Sequence, residues 1–368
     1  MADPLLVKKA RLLCYRIYDI ADEIDLGQVE RIGRRQASRT RLVSQRSRAL
    51  LLPNPPVAFE LERQELTLKS GSMVVEARAR LFDSGAASVM LSIPVPVGTS
   101  LDGLVPLAAE VQESEAIEAA CGRCIEQVRS TVAPAVTGSH LWHENESYTV
   151  LLVEELEPRV KSAELIERCD LVRLILGEES DLELSAQQRS DVLAHRFSYT
   201  ENDLAIVDWN SAFVYEPSDA SDILDVLEIA NAQLLEFRYY DDQLDRHITR
   251  VYDELQRPRR WRGLFLSPYA KLAPRVAATL LELSEFIERS EDSLRVIGDF
   301  YVAKIYEAAV QQLRVQNWQA SVTRKQQMLA NTYQLLKGET DTDRALVLEL
   351  LIVLLIVGEI LLALLRVY

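Results

Sequence analysis

The chain lacks the short motifs on which most phosphate, nucleotide and hydrolase chemistry depends. No Walker loop, no GxGxxG after a strand, no GxSxG elbow and no HExxH occurs in its 368 residues. That excludes the common phosphate-cradling, serine-nucleophile and helix-borne zinc sites built on those spacings. Cysteine is scarce: Cys14, Cys121, Cys124 and Cys169 are the only four. They are too unevenly spread for a disulfide framework, so reduced thiols and a reducing compartment are expected. The opening MADPLLVKKARLL is too short and too charged to hold the apolar core of a secretion signal, and export is not expected.

What is present fits a folded chain with room for two domains, at 48% hydrophobic and 26% charged residues. Its net charge of −15 is segregated, because residues 1–56 carry eleven Lys and Arg against six Asp and Glu. Seven arginines (Arg31, Arg34, Arg35, Arg39, Arg41, Arg46, Arg48) stand between residues 31 and 48 with no acid among them. Such a run suits anionic lipid, RNA or an acidic protein. Aromatics are missing from it, and with them the stacking platforms of an RNA site, so a solvated or acid-neutralised loop is favoured over nucleic acid.

Up to about residue 216 strand and helix patterns alternate. Residues 11–20 and 148–153 read as strands, 25–35 and 114–132 as helices, and 203–215 as a strand or pair. Residues 73–82 (MVVEARARLF) alternate apolar and charged side chains in the manner of a half-exposed strand, and Asp83-Ser84-Gly85 turns it into 87–97 as a hairpin. An α+β domain over 1–216 follows. Beyond Pro217 the grammar is helical. Ile223, Leu227, Ala230, Leu234, Phe237, Leu244, Ile248, Val251 and Leu255 form one apolar stripe interrupted at Asp241. A second helical region over 274–337 keeps every seventh residue apolar from Leu280 to Leu336. A long helical hairpin or coiled-coil stalk over 217–338, self-associating through its seams, is the expectation.

Residues 345–365 read ALVLELLIVLLIVGEILLALL, with ten Leu, three Ile and three Val against Glu349 and Glu359. On length and transfer energy this predicts a transmembrane tail anchor over 345–366 and a single-pass membrane protein whose other residues face the cytoplasm. Glu349 and Glu359 are then expected as intramembrane contacts that help pack copies together. Arg344-Ala345-Leu346, Leu348-Glu349, Ile352-Val353, Leu355-Ile356 and Glu359 resemble the C-terminal signature of the required-for-meiotic-nuclear-division family, a group of unknown function. Residues 80–95 resemble that family's Phe-x-x-Gly strand hairpin. The resemblance implies a membrane-tethered, self-associating protein with no established catalytic activity.

Three further clusters are candidates for chemistry. Cys121 and Cys124 followed by His140 and His143 resemble a two-Cys, two-His zinc site, but i, i+3 thiols and a two-residue His spacing favour buried thiols and surface imidazoles. Asp208, Trp209, Asn210 and Glu216 form a polar-aromatic group at the domain boundary that could line a pocket. Arg257, Arg259, Arg260, Trp261 and Arg262 suit an acidic protein surface or lipid headgroups, as Arg34, Arg35, Arg39 and Arg41 do. No cofactor is implied. The expectation is a non-enzymatic, membrane-anchored, homo-oligomeric scaffold. Its rivals are an enzyme or small-ligand sensor using a pocket of the α+β domain, and an RNA-binding module using residues 31–48.

Overall fold

The computed structural model describes residues 4–35, 41–43, 54–180, 183–256, 274, 276–281, 283–284 and 299–367. The chain divides into two compact units. One holds residues 1–239 and 291–318, the other residues 240–290 and 319–368.

The first unit opens with β1 (Leu6–Asp19), β2 (Glu23–Ile24), α1 (Leu26–Arg35), β3 (Arg41–Val43), β4 (Val57–Glu60), β5 (Gln64–Leu68), β6 (Gly71–Leu81) and β7 (Ala86–Pro94). It continues through α2 (Val105–Gln112), α3 (Glu115–Val132), β8 (Val136–Thr137) and β9 (Asn145–Glu157). Then come α4 (Ser162–Arg168), α5 (Leu171–Leu176), α6 (Ala186–Ala194), β10 (Arg196–Phe197), β11 (Leu204–Val207) and β12 (Ser211–Tyr215). Then follow the helices α7 (Ser221–Gln256), α8 (Phe300–Gln312) and α9 (Val315–Val367), with further helical residues described between 274 and 284.

Ten strands form one sheet in the order β10-β11-β12-β9-β1-β7-β6-β4-β3, with β5 paired to β6. The pairing of β12 with β9 is parallel and the other ladders of this sheet are antiparallel. A parallel neighbour cannot be reached by a tight turn, and the helices α4 to α6 supply the crossover. At the β6–β7 turn Gly85 has φ +104°, and a Cβ there would lie 1.8 Å from the carbonyl oxygen of Ala21. Only glycine fits that approach.

Strand β1 sits at the centre of the sheet, and its alternation sorts the two faces. Leu12, Cys14 and Tyr18 enter the main core with Ala108 and Val111 of α2, Ile117, Cys121 and Cys124 of α3, and Leu174 and Ile175 of α5. Ile17 faces the other way and packs with Ala86, Trp142, Ala232 and Leu235 under α7. The helix α3 begins where Ser114 accepts a hydrogen bond from the Ile117 amide, with Glu115 and Glu118 in its first turn. Between Val226 and Phe237 every residue of α7 is buried. A helix buried all round is a central element, and the Tyr306 hydroxyl of α8 donates to Gln233 on it.

In the second unit Leu244, Val251, Val276, Leu283, Val322 and Leu329 are buried. Asp241, which interrupts the apolar stripe of α7, meets Lys325 at 2.9 Å and accepts from Ser321 at 2.8 Å. The second helical region is not continuous, for Arg314 at φ +53° breaks it between α8 and α9.

The membrane expectation is corrected. Among the described residues no helix is long and apolar enough to cross a membrane. Residues 345–366 are the end of a 53-residue helix that starts in polar sequence, and Glu349 and Glu359 interrupt its apolar run as exposed carboxylates. The transmembrane helix in the expected fold class, the tail anchor, the intramembrane roles of Glu349 and Glu359, and the single-pass membrane placement fall together. The architecture is a mixed-sheet domain followed by helices.

Candidate functional site: a charged cleft on the sheet

Polar side chains on β6, β7, β1 and β9 meet the start of α7 around a cleft of about 350 Å³. Ladder register builds its floor. Glu76 lies across from Ser92, and Ser92 from Leu13; in the next row Arg78 lies across from Met90, and Met90 from Tyr15. Glu60 of β4 extends that row beside Arg78. Because side chains alternate with a period of two, all of these share the face opposite the cysteines.

Arg80 ties the floor to the roof. Its guanidinium binds Asp225 at 2.7 Å and Glu228 at 2.8 Å. These two acids are three residues apart, so they stand on one face of α7 and meet both arms of the planar fork. Burial raises the Asp225 and Glu228 carboxyls above the usual range, while the charge of Arg80 pulls them back. Burial opposes the charge of Arg80, yet the two carboxylates outweigh it and its pKa rises. Arg78 adds its charge to the same two acids.

The ion pairs at the rim are looser, and Arg11 Nε and Glu154 Oε2 are buried there without a hydrogen-bond partner. Arg11 Nε stands 3.4 Å from Glu154, which Lys9 also reaches at 3.0 Å. Arg63 faces Glu76 at 3.7 Å. At the approach to α7 the Ser218 amide and hydroxyl donate to Glu216 at 2.9 and 2.5 Å, and the Ser221 amide donates to Asp219 at 3.0 Å. Tyr15 is 5% exposed and lines the cleft.

Of the pocket residues expected from the sequence, Glu216 lines this cleft and the other three do not. Asp208, Trp209 and Asn210 form the β11–β12 turn, where the Tyr148 hydroxyl donates to the carbonyls of Asp208 and Ser211 at 3.1 and 2.9 Å. Trp209 is 61% exposed, and burial raises the Asp208 carboxyl. The intervening strand β12 carries Glu216 away from them.

The Cys and His pairs do not converge. Cys121 and Cys124 lie in the main core, where burial raises the Cys124 thiol to about 11 and the Cys121 thiol further. His140 is on the other face, its Nε2 against Asp19 and its Nδ1 2.9 Å from the Gly138 carbonyl, with the ring stacked on Tyr239. His143 is exposed, 3.7 Å from Glu144. The sheet stands between thiols and imidazoles. Among the described residues no group of three or more His, Cys, Asp or Glu could hold a metal ion.

Arg34, Arg35 and Arg41 fall in the backbone of α1 and β3. Arg39, Arg257, Arg259, Arg260, Trp261 and Arg262 lie outside the described residues.

A family model described as "Uncharacterized protein MJ0711, N-terminal domain" matches residues 9–222. The chain belongs to this family. The MJ0711 N-terminal domain, a domain of unknown function, thus runs from the central strand β1 to the first turn of α7. The uncharacterized protein MJ0711 of Methanocaldococcus jannaschii is 26% identical over 186 residues, 50% of this chain. The aligned stretch spans 56% of that relative's length. No solved structure matches.

Sequence reasoning missed Tyr15, Arg80, Asp225 and Glu228. The alternation of 73–82 gave the right strand, but its charged face was assigned to solvent. Glu76 on that face is exposed as expected, but the Arg80 end is covered by α7, and Arg80 is 7% exposed. The usable signal was the matching spacing of Asp222, Asp225 and Glu228, which puts three carboxylates on one side of the covering helix.

Proposed function

We propose that the MJ0711 N-terminal domain of this chain is a non-catalytic module that binds a small polar ligand in the cleft beneath the start of α7. One observation carries the reading: a cleft of about 350 Å³ lined by convergent charged groups with the Tyr15 ring in its wall, within the ~300–1,000 Å³ range of small-molecule sites. The matched segment 9–222 contains the strands that floor the cleft, which supports ligand binding as a property of the domain. Binding without turnover is favoured because Asp225 and Glu228 are both held by Arg80, which leaves neither poised as a base. Saturation-transfer NMR on the full chain with a mixture of small amines, carboxylates and heterocycles tests it. Saturable hits are expected, and they vanish in Ser218→Trp, whose ring fills the mouth. An absence of hits, or hits indifferent to that change, overturns the reading.

A second reading, a homo-oligomeric scaffold, is favoured by α9. Ten large apolar side chains between Leu348 and Leu362 are 47–68% exposed, a run that water disfavours and a second copy would cover. The resemblance of residues 344–359 to the required-for-meiotic-nuclear-division signature, which implies self-association, supports it. An acidic protein partner for the segment holding Arg34, Arg35, Arg39 and Arg41 belongs to this reading. A native mass equal to one chain refutes it.

A further inference from the structure

We infer that the end of α9 pairs with the same segment of a second copy as an antiparallel two-helix seam; this rests on the self-associating reading of α9. Within the second unit α9 already has one packed face. Val322 and Leu329 on it are buried. Beside them Ser321 donates to Asp241 at 2.8 Å, and Lys325 holds Asp241 and Asp245 at 2.9 and 2.6 Å. These contacts advance together along both helices, so α7 and α9 run parallel, and the last residue of α7, Gln256, comes level with about residue 336. Helix α9 continues to Val367. Some 30 of its residues, about 45 Å at ~1.5 Å per residue, extend past the end of α7.

The packed face does not stop where α7 does. At about 100° per residue, Val347, Leu351, Leu354, Gly358, Leu361 and Leu365 return to within about 60° of the line through Val322. Glu349 stands about 180° from that line and Glu359 about 100°. The continuation is apolar, carries no carboxylate and prolongs a seam the chain already uses for helix-on-helix packing. A face without charge is complementary to itself, as a two-fold dimer requires. Leu354 is 60% and Leu361 55% exposed. The ten apolar side chains exposed between Leu348 and Leu362 present on the order of 1,000 Å², beyond the few hundred that a monomer leaves bare and enough for the ~800 Å² that each partner of a stable complex buries. Direction follows from α7. In a parallel pair the two copies of α7, each on the seam side of its own α9, would meet at the two-fold axis. Reversal places each free segment in the space beyond the other copy's α7.

Sedimentation equilibrium of the full chain measures the dimer. The double variant Leu354→Glu, Leu361→Glu should raise its dissociation constant about a hundredfold or more, because it buries carboxylates without partners. Ile356→Glu, Ile360→Glu is similarly exposed but on the opposite side, and should leave that constant within about threefold. A nitroxide on Lys337→Cys reports direction, with the two labels about 50 Å apart across an antiparallel pair and about 20 Å or less in a parallel one. The short distance, equal responses of the two double variants, or an assembly of more than two chains overturns the inference and leaves self-association standing. A mass of one chain leaves the face to another occupant and removes the self-associating reading with it.

Discussion

Arg80 lies between two acids that water hardly reaches, and its removal exposes what it neutralises. Arg80→Met leaves Asp225 and Glu228 buried without their main counter-charge. A loss of about 3–5 kcal/mol in chemical denaturation is expected, with part of it regained when Asp225→Asn is added. His140 makes a different prediction. Burial lowers its pKa, but the bond to Asp19 outweighs burial, and the net shift is upward. A histidine raised in the folded state stabilises fully below its unfolded value near 6.5 and loses that contribution as pH rises through the folded value. Unfolding free energy measured from pH 6 to pH 9 should therefore fall through a step that His140→Gln abolishes. A step of equal size in both proteins sinks the assignment. The buried thiols follow the same physics of desolvation: Cys14, raised to about 12, Cys121 and Cys124 are expected to resist alkylation in the native protein and to react once it is unfolded.

Elements differ in how far their sequence betrays them. The β6–β7 hairpin was legible because alternation and the turn residues agree, and Gly85 carries the turn at a φ that side chains avoid. Gly85→Ala drives a methyl group into the backbone of Ala21 and should cost more than the ~1 kcal/mol of an ordinary glycine replacement, read as a lowered denaturation midpoint. Helix α3 was legible through Ser114 and its apolar period. The cleft was not, because period-two alternation states that one face is polar and cannot say whether water or a helix covers it. Strand β6 read as half-exposed and is so as far as Glu76; α7 makes only the Arg80 end of that face interior. Residues 345–365 misled for a related reason: a count of Leu, Ile and Val ignores that the run continues a polar helix and is broken by Glu349 and Glu359. The parallel β9–β12 pairing joins strands more than fifty residues apart, a partnership that local pattern does not encode.

At the scale of the molecule the two units invite separate measurements. Side chains exposed at 348–362 bury little surface of their own, so deleting residues 345–368 should leave the melting transition of the sheet domain within about 2 °C of the full chain while abolishing any self-association seen by native mass. A domain that melts far lower shows that the tail stabilises it and removes the scaffold reading's division of labour. Ligand response in the cleft should survive the same deletion, because every residue lining it precedes residue 229.

Strand β1 is laddered on both sides, with β7 and β9, and from Ala10 onward its odd and even positions serve unlike neighbours. Shifting it by one place would thrust Arg11 and Tyr15 among greasy helices and hand Cys14 to the charged side, against two ladders at once. In a drifting gene this is a stretch where codons can be swapped but not gained or dropped. Length variation among descendants should therefore gather in the turns at either end.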